Sequence, residues 1–359
     1  MFITRRSILT AGAALGLPAY ARAATPAFKG QTLTVASWQN YGANDPATIR
    51  MFETMTGATV RQVYFTSEDD LLMMLRQGGL GKIDVALPNL EYVLPGAMQS
   101  LFQPIDPAKV TTWKALEPRF REDPSIRYQG HVFAVPWVQG ATSLAVNPAA
   151  VKAPPTGWSI LWDPASKGKV GFFDDPTTAV MTAALYLGED PQNPDLANVR
   201  RALLDLKKNV KLFWSSGDDW TKAYITGEIT MGNLWSGLAG TMKANGHAVD
   251  FILPDDGTVV WGDTWAIVRK TPHLGLAYAW INFLTSPAYF TQWISHPGPN
   301  QELAVPVNSE AVQALPKAAA AKLMAGPITT YKGKIALQTG IPPKALKTWT
   351  QLWEDVKAA

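Results

Sequence analysis

The feature that most constrains the fold is an alternation of short apolar runs with helix-like segments near the start of the chain. Residues 32–37 have the composition of a strand, and Asp45 with Pro46 then opens a helix that Gly57 ends. A second strand follows at 58–65 and a second helix begins at Ser67. A third strand lies at 83–87. This order predicts an α/β fold with parallel strands.

The same kind of pattern restarts in the middle of the chain, after the proline pair at 154–155. Strands are predicted at 170–173, 210–213, 229–234, 249–253 and 259–268, and helices at 176–187 and 196–209. Two α/β series joined by extended segments predict two lobes with a cleft between them. A mainly helical tail follows.

The first 23 residues have the organisation of an export signal. Arg5 and Arg6 precede an apolar stretch at 8–17, and Ala21-Arg22-Ala23 has the Ala-x-Ala pattern of a cleavage site. The arginine pair predicts a twin-arginine signal peptide at 1–23 and a protein of the periplasm. The alternative is a membrane anchor, but ten apolar residues are too few, since a spanning helix needs ~20.

Removal of this signal changes the charge of the chain. The sequence has 32 Lys and Arg against 29 Asp and Glu, and the signal contains three arginines and no acid. The mature chain is therefore neutral and has no basic cluster, which disfavours binding to nucleic acid. The lack of cysteine excludes disulfides, thiolate metal sites and a lipid anchor on an N-terminal cysteine.

The sequence contains no motif of a catalytic or metal centre. Its four histidines are scattered without an HExxH pair, and no GxSxG elbow occurs. Residues 78–83 are only faintly like a phosphate-binding loop, because no Ser or Thr follows Lys82. We therefore expect no enzyme, no metal and no cofactor.

Six blocks of sequence follow one another through nearly all of the mature chain. They are VASWQNY at 35–41, IDVALPNLEYV at 83–93, GWSILWDPASKGKV at 157–170 with Asp174 and Asp175, GNLWSG at 232–237, WGDTWAI at 261–267 and AWINFL at 279–284 with Ser286 and Pro287. In this order they resemble the spermidine/putrescine-binding periplasmic proteins, which are solute-binding components of ABC importers.

The resemblance implies a type II periplasmic-binding-protein fold, with two α/β lobes that close on a ligand in the cleft between them. Crossovers are expected near 138–142 and 261–264. One lobe would then be 24–138 plus 262–307, and the other 139–261 plus 308–359. The implied partners are a small-molecule amine and the permease of the inner membrane, and the protein is expected to be a monomer.

The resemblance also implies how a linear polyamine would be held, between aromatic faces and with carboxylates on its ammonium groups. Carried over by position, the aromatic residues are Trp38, Tyr41, Trp235 and Trp261, and the carboxylates are Asp175 and Asp263. An ammonium group over Trp gains ~0.5–2 kcal/mol, and a cation in a closed cleft needs a carboxylate to neutralise it. Asp175 is also a good N-cap for the next helix, and Trp265 is a further aromatic candidate.

The sequence departs from the family pattern at several positions. Asn40 and Thr178 stand where the family has acids, while Glu91 replaces an aromatic residue and Asn89 a serine. Glu91 and Asn89 are therefore added to the predicted site. The family's late Tyr and Gln have no counterpart that the sequence identifies.

This redistribution of acids makes a shorter diamine or another cationic amine as good a ligand as spermidine. Two alternatives stay open: a binder of another cationic or amino-acid-like solute, such as a quaternary amine or an opine, and an exported enzyme that uses the cleft for chemistry.

Overall fold

The computed structural model describes residues 27–299, 301–324, 328, 331–339 and 341–359. The predicted signal peptide, 1–23, lies outside these residues. Among the helices of the described part, none is long and apolar enough to cross a membrane.

The strands account for both predicted α/β series. In chain order they are β1 (Thr32–Ser37), β2 (Thr59–Tyr64), β3 (Val85–Ala86), β4 (Arg127–Tyr128), β5 (His131–Val132), β6 (Ala134–Val146), β7 (Val170–Phe173), β8 (Val210–Trp214), β9 (Met231–Trp235), β10 (Asp250–Ile252), β11 (Thr258–Ile267), β12 (Val305–Pro306) and β13 (Ile335–Leu337).

The helices lie between these strands and in the tail. They are α1 (Pro46–Thr56), α2 (Glu68–Met74), α3 (Leu90–Met98), α4 (Pro118–Arg121), α5 (Ser159–Trp162), α6 (Pro176–Leu187), α7 (Leu196–Lys207), α8 (Gly217–Ile225), α9 (Ser236–Ala244), α10 (Leu274–Leu284), α11 (Pro287–Ser295), α12 (Ser309–Ala314), α13 (Lys317–Ala320) and α14 (Pro343–Ala358).

The helix starts follow from capping residues that are visible in the sequence. The Asp45 side chain accepts hydrogen bonds from the first backbone N–H groups of α1, and Ser67 caps α2 in the same way. Gly57 ends α1 in the left-handed conformation, at φ 73°. The helices that the sequence predicts at these places are confirmed.

The main sheet has the strand order β2-β1-β3-β11-β6-β9-β7-β8. The pairs β1/β2 and β1/β3 at one end are parallel, and so are β7/β8 and β7/β9 at the other. The long strands β6 and β11 pair antiparallel at the centre. The α/β fold predicted from the sequence is confirmed.

The central strands carry the chain between separate hydrophobic cores. On β6, Ala141 packs in the core around β1 and β3, Leu144 packs in a second core around β7, and Ala145 packs in a third core with residues of β8, β9 and α8. On β11 the change falls between Val259 and Val260. The two parts of the molecule therefore meet along β6 and β11.

The tail contributes to both cores, because α12 and α13 pack against α11, while α14 packs against α6 and α7. The lobe boundaries given above stay a prediction.

Candidate functional site

A cavity of about 430 Å³ lies between the first core, against which Trp38 and Trp261 pack, and the third core, against which Phe173 and Trp235 pack. Its wall is formed by the ends of β1, β7 and β9, the starts of α2 and α3, the middle of β11 and two segments of the tail. The residues predicted for the site all line it: Trp38, Tyr41, Asn89, Glu91, Asp175, Trp235, Trp261 and Asp263. Residues separated by more than 200 positions are thus brought together.

The first acidic group of the cavity is built around Asp263, which is 5% exposed on β11. The Tyr41 hydroxyl donates a hydrogen bond of 2.8 Å to Asp263 Oδ2. With its amide oriented to donate, Asn89 Nδ2 lies 2.6 Å from Asp263 Oδ1 and 2.8 Å from Glu68 Oε1. One amide group therefore joins two buried carboxylates.

Glu68 is the second carboxylate of this group, and it is also buried. Its Oε1 accepts a hydrogen bond of 2.7 Å from the Asn89 backbone N–H, and its Oε2 has no donor among the described residues. Burial and the nearby Asp263 and Glu91 raise the pKa of Glu68 well above its usual range. Burial raises the pKa of Asp263 to about 7, although the Tyr41 hydrogen bond opposes the shift.

The second acidic group consists of Glu91 and Asp175. Asp175 caps α6 by accepting a hydrogen bond of 2.7 Å from the Thr178 backbone N–H, and Gln338 Nε2 lies 3.4 Å from the same carboxylate oxygen. Burial raises the pKa of Asp175. Burial and the charge of Asp175 raise the pKa of Glu91 to about 8, and Glu91 Oε2 has no donor among the described residues. The N-cap role foreseen for Asp175 is confirmed, and it coexists with a place on the cavity wall.

Glu302 forms a third acidic position, in the segment before β12. Its backbone N–H donates to the Asn40 carbonyl at 2.9 Å, and its side chain lines the cavity. Burial raises the pKa of Glu302 to about 7, with a smaller contribution from Asp218.

The ionisable groups of the cavity wall include carboxyl groups but no basic side chains among the described residues. Five carboxyl groups with raised pKa values line it, and none of the described lining residues is Lys, Arg or His. Buried carboxylates without cationic partners are costly, so their pKa values rise. A cationic guest would supply the missing counter-charge. Among the described residues, those of the cavity included, no group of three or more His, Cys, Asp or Glu side chains could hold a metal ion.

Aromatic side chains complete the wall and are held by edge-to-face packing. The Trp38 ring lies 4.5 Å from Phe65, and the Trp235 ring lies 5.0 Å from Phe173 and 4.9 Å from Trp214, between centroids. Such packing fixes the faces that these rings present to the cavity.

Trp261 packs directly over the backbone of β6. A Cβ atom at Gly140 would lie 2.1–2.6 Å from the Trp261 ring, so only glycine permits this approach. Trp265, the further aromatic candidate, instead lies in the core, fully buried against Trp137 and Trp280.

Several polar residues of the wall were not predicted from the sequence, among them Glu68, Glu302 and Gln338. Glu68 follows the N-cap Ser67 and has the appearance of an ordinary solvated acid in the first turn of α2. Glu302 stands one residue before the segment 303–306 in which the family's late Tyr was sought. Gln338 follows β13 and corresponds to no motif of its own, although a late Gln was expected from the family.

A larger surface depression, of about 840 Å³, lies between α1, α10 and α11. Among the described residues that line it, Arg50 is charged and none carries a carboxyl group. The acidic side chains therefore distinguish the cavity between the cores from this surface depression.

Sequence comparison identifies the family to which this architecture and site correspond. The family model for bacterial extracellular solute-binding proteins matches residues 47–326. The chain belongs to this family. The sequence predicts a solute-binding protein rather than an enzyme, and membership of this family confirms that prediction.

Among curated relatives, the chain is 29% identical over 303 residues to the spermidine/putrescine-binding periplasmic protein of Escherichia coli, covering 82% of this chain and 84% of the relative. It is 26% identical over 358 residues to the putrescine-binding periplasmic protein PotF of the same species, covering 93% of each. The resemblance drawn from the six blocks is therefore confirmed.

Solved structures show the same fold. The spermidine/putrescine substrate-binding protein PotD of Streptococcus pneumoniae superposes with a TM-score of 0.78 at 22% identity, covering 91% of this chain and 99% of that one. The binding protein AgtB of Agrobacterium tumefaciens, solved with agropinic acid, gives a TM-score of 0.68 at 19% identity, covering 92% and 97%. The two-lobed fold is thus confirmed, and it is shared by proteins with different ligands.

Proposed function

We propose that this chain is the periplasmic solute-binding component of an ABC importer and that it binds a short linear polyamine, such as putrescine or spermidine, in the cavity between the cores. The observation that carries the proposal is the acidic wall: six carboxyl groups, five of them with raised pKa values, and no basic residue among the described lining residues. Polyamines are multiply protonated at neutral pH, so their positive charges complement the acidic side chains of this wall.

The acidic groups and the aromatic rings have complementary tasks in this proposal. The pairs Asp263/Glu68 and Glu91/Asp175 accept hydrogen bonds from ammonium groups, and charge-assisted bonds of this kind are the strong ones. Trp38, Trp235 and Trp261, together with Tyr41, cover the methylene chain and add cation–π attraction of ~0.5–2 kcal/mol for each well-placed ammonium group.

The same wall argues against a ligand that carries a carboxylate, such as an opine. A carboxylate in a closed cavity needs a cationic or amide partner, and repulsion by the existing acids would add to its desolvation cost. Relatives with the same fold bind such ligands, so the fold alone does not choose between the classes.

The proposed location and partner follow from the relatives and from the first 23 residues. The relatives are named as periplasmic binding proteins, and the arginine pair at positions 5 and 6 supports export by the twin-arginine route. We expect a monomer that delivers its amine to a membrane permease.

The test is a thermal-shift and calorimetric panel on the purified mature protein. Putrescine, cadaverine, spermidine and spermine are compared with a quaternary amine and with γ-aminobutyrate as a zwitterion. At ~1,000-fold excess over Kd a ligand stabilises by about 4 kcal/mol, so a true ligand raises the Tm measurably.

We expect at least one polyamine to raise the Tm and γ-aminobutyrate to leave it unchanged. If no polyamine shifts the Tm and the quaternary amine or the zwitterion does, the polyamine assignment is wrong.

A further inference from the structure

The five buried or half-buried carboxyl groups of the cavity occupy three positions, whereas Asp69, the sixth on the wall, is exposed. Asp263 and Glu68 are joined through the Asn89 amide, and Glu91 and Asp175 interact with each other. Glu302 stands apart in the segment before β12, and no hydrogen bond among the described residues joins its side chain to either pair.

The surroundings of Glu302 leave its carboxylate available to a guest. The described residues offer it no side-chain or backbone donor, although its own backbone N–H is tied to the Asn40 carbonyl at 2.9 Å. The backbone is thus anchored in the first core. A Cβ atom at Gly217, where α8 begins, would lie 3.8 Å from Glu302 Oε1, so the carboxylate lies beside the start of α8, whose buried residues belong to the third core.

The number of separate carboxyl positions indicates how many ammonium groups the ligand carries. A diamine has two ammonium groups, and the two carboxyl pairs are the stronger sites for them, since each pair presents two acids. A third, single carboxylate at Glu302 is then left without a counter-charge. It is partly buried, and such a group gains most from a cation that reaches it.

We propose that Glu302 is a third cation subsite that selects a triamine over a diamine, by accepting a hydrogen bond from a third protonated nitrogen. This inference rests on the proposed function, since it concerns the same cavity and the same ligand class. It assigns a specificity role to a residue that no motif of the sequence identifies.

The test compares spermidine with putrescine by isothermal titration calorimetry on three proteins: wild type, Glu302→Gln and Glu310→Gln. Glu310 is exposed in the first turn of α12 and lies outside the cavity wall, so its variant makes the same change in charge without touching the site. Melting curves verify that each variant is folded, and Glu302→Ala replaces Glu302→Gln if the latter does not fold.

We expect Glu302→Gln to weaken spermidine binding by about 10- to 100-fold, because a hydrogen bond to a charged group contributes ~1.5–3 kcal/mol. Putrescine binding should stay within about 2-fold of wild type on the same argument, and Glu310→Gln should change neither affinity.

Equal losses for the two amines, or no loss for spermidine, would overturn the subsite. A wild type that binds putrescine but not spermidine would also overturn it, while leaving the proposed function intact. If the wild type binds no polyamine, the proposed function itself fails and the subsite fails with it.

Discussion

The raised pKa values of the cavity acids predict that amine binding strengthens with pH. Burial and Asp175 raise the pKa of Glu91 to about 8, and burial raises that of Asp263 to about 7. If an ammonium group binds the ionised form, proton loss must accompany binding. Aliphatic ammonium groups themselves stay protonated up to about pH 9 to 10, so the carboxyl groups control this range.

The size of the effect follows from the ionised fractions. For a carboxyl group of pKa about 8, that fraction rises ~50-fold between about pH 6 and about pH 8, and for a pKa of about 7 it rises ~10-fold. The wild-type affinity for putrescine should therefore increase by at least ~50-fold over this interval. In Glu91→Gln the Glu91 contribution disappears, so the increase should shrink toward the ~10-fold that Asp263 supplies.

Calorimetry in two buffers of different ionisation enthalpy measures the protons released on binding. Near pH 7 we expect ~0.9 proton from Glu91 and ~0.5 from Asp263 in wild type, and the Glu91 share should be lost in Glu91→Gln. An affinity that is flat or falls between about pH 6 and about pH 8, or binding without proton release, would refute the reasoning.

Three further outcomes follow from the structure. Asp263→Asn should abolish measurable amine binding in calorimetry while the Tm changes little, since the new amide oxygen can accept from Asn89 and its NH2 group can donate to the Tyr41 hydroxyl; retained affinity would contradict the role of Asp263. Gly140→Ala should weaken amine binding, because its Cβ would overlap the Trp261 ring and push it into the cavity, and an unchanged Kd with an unchanged Tm would contradict that packing. The stability of the amine-free protein should fall as the pH rises from about 5 to about 8, because the folded carboxyl groups have raised pKa values and hold protons that the unfolded chain has lost. Amine added at about pH 8 should restore the stability. A denaturation midpoint that rises with pH between about pH 5 and about pH 8 would contradict the direction of these pKa shifts.

Local patterns were enough to predict much of this fold. The N-caps Asp45 and Ser67 and the helix end at Gly57 are properties of short segments, so the sequence located the first helices within a residue or two. The six blocks then placed eight residues that the structure brings together on one cavity wall.

The remaining acids of the site were hidden because local sequence does not reveal burial. Glu68 has the pattern of a solvated first-turn acid, and Glu302 lies in an irregular segment without periodicity. Each becomes part of the wall only because a distant segment covers it: Asn89 on Glu68, and the start of α8 close to Glu302. The pKa shifts are consequences of the same burial.

The sequence by itself therefore determined the α/β elements, their caps and the central members of the candidate site, since these depend on neighbouring residues and on recognisable blocks, and the export signal stays a prediction. Only the tertiary structure decided that Trp265 belongs to the core, that Asn89 joins two carboxylates and that the acids occupy three positions on one wall. The physical reason is that burial and charge pairing are set by contacts between segments far apart in the chain, which no local pattern contains.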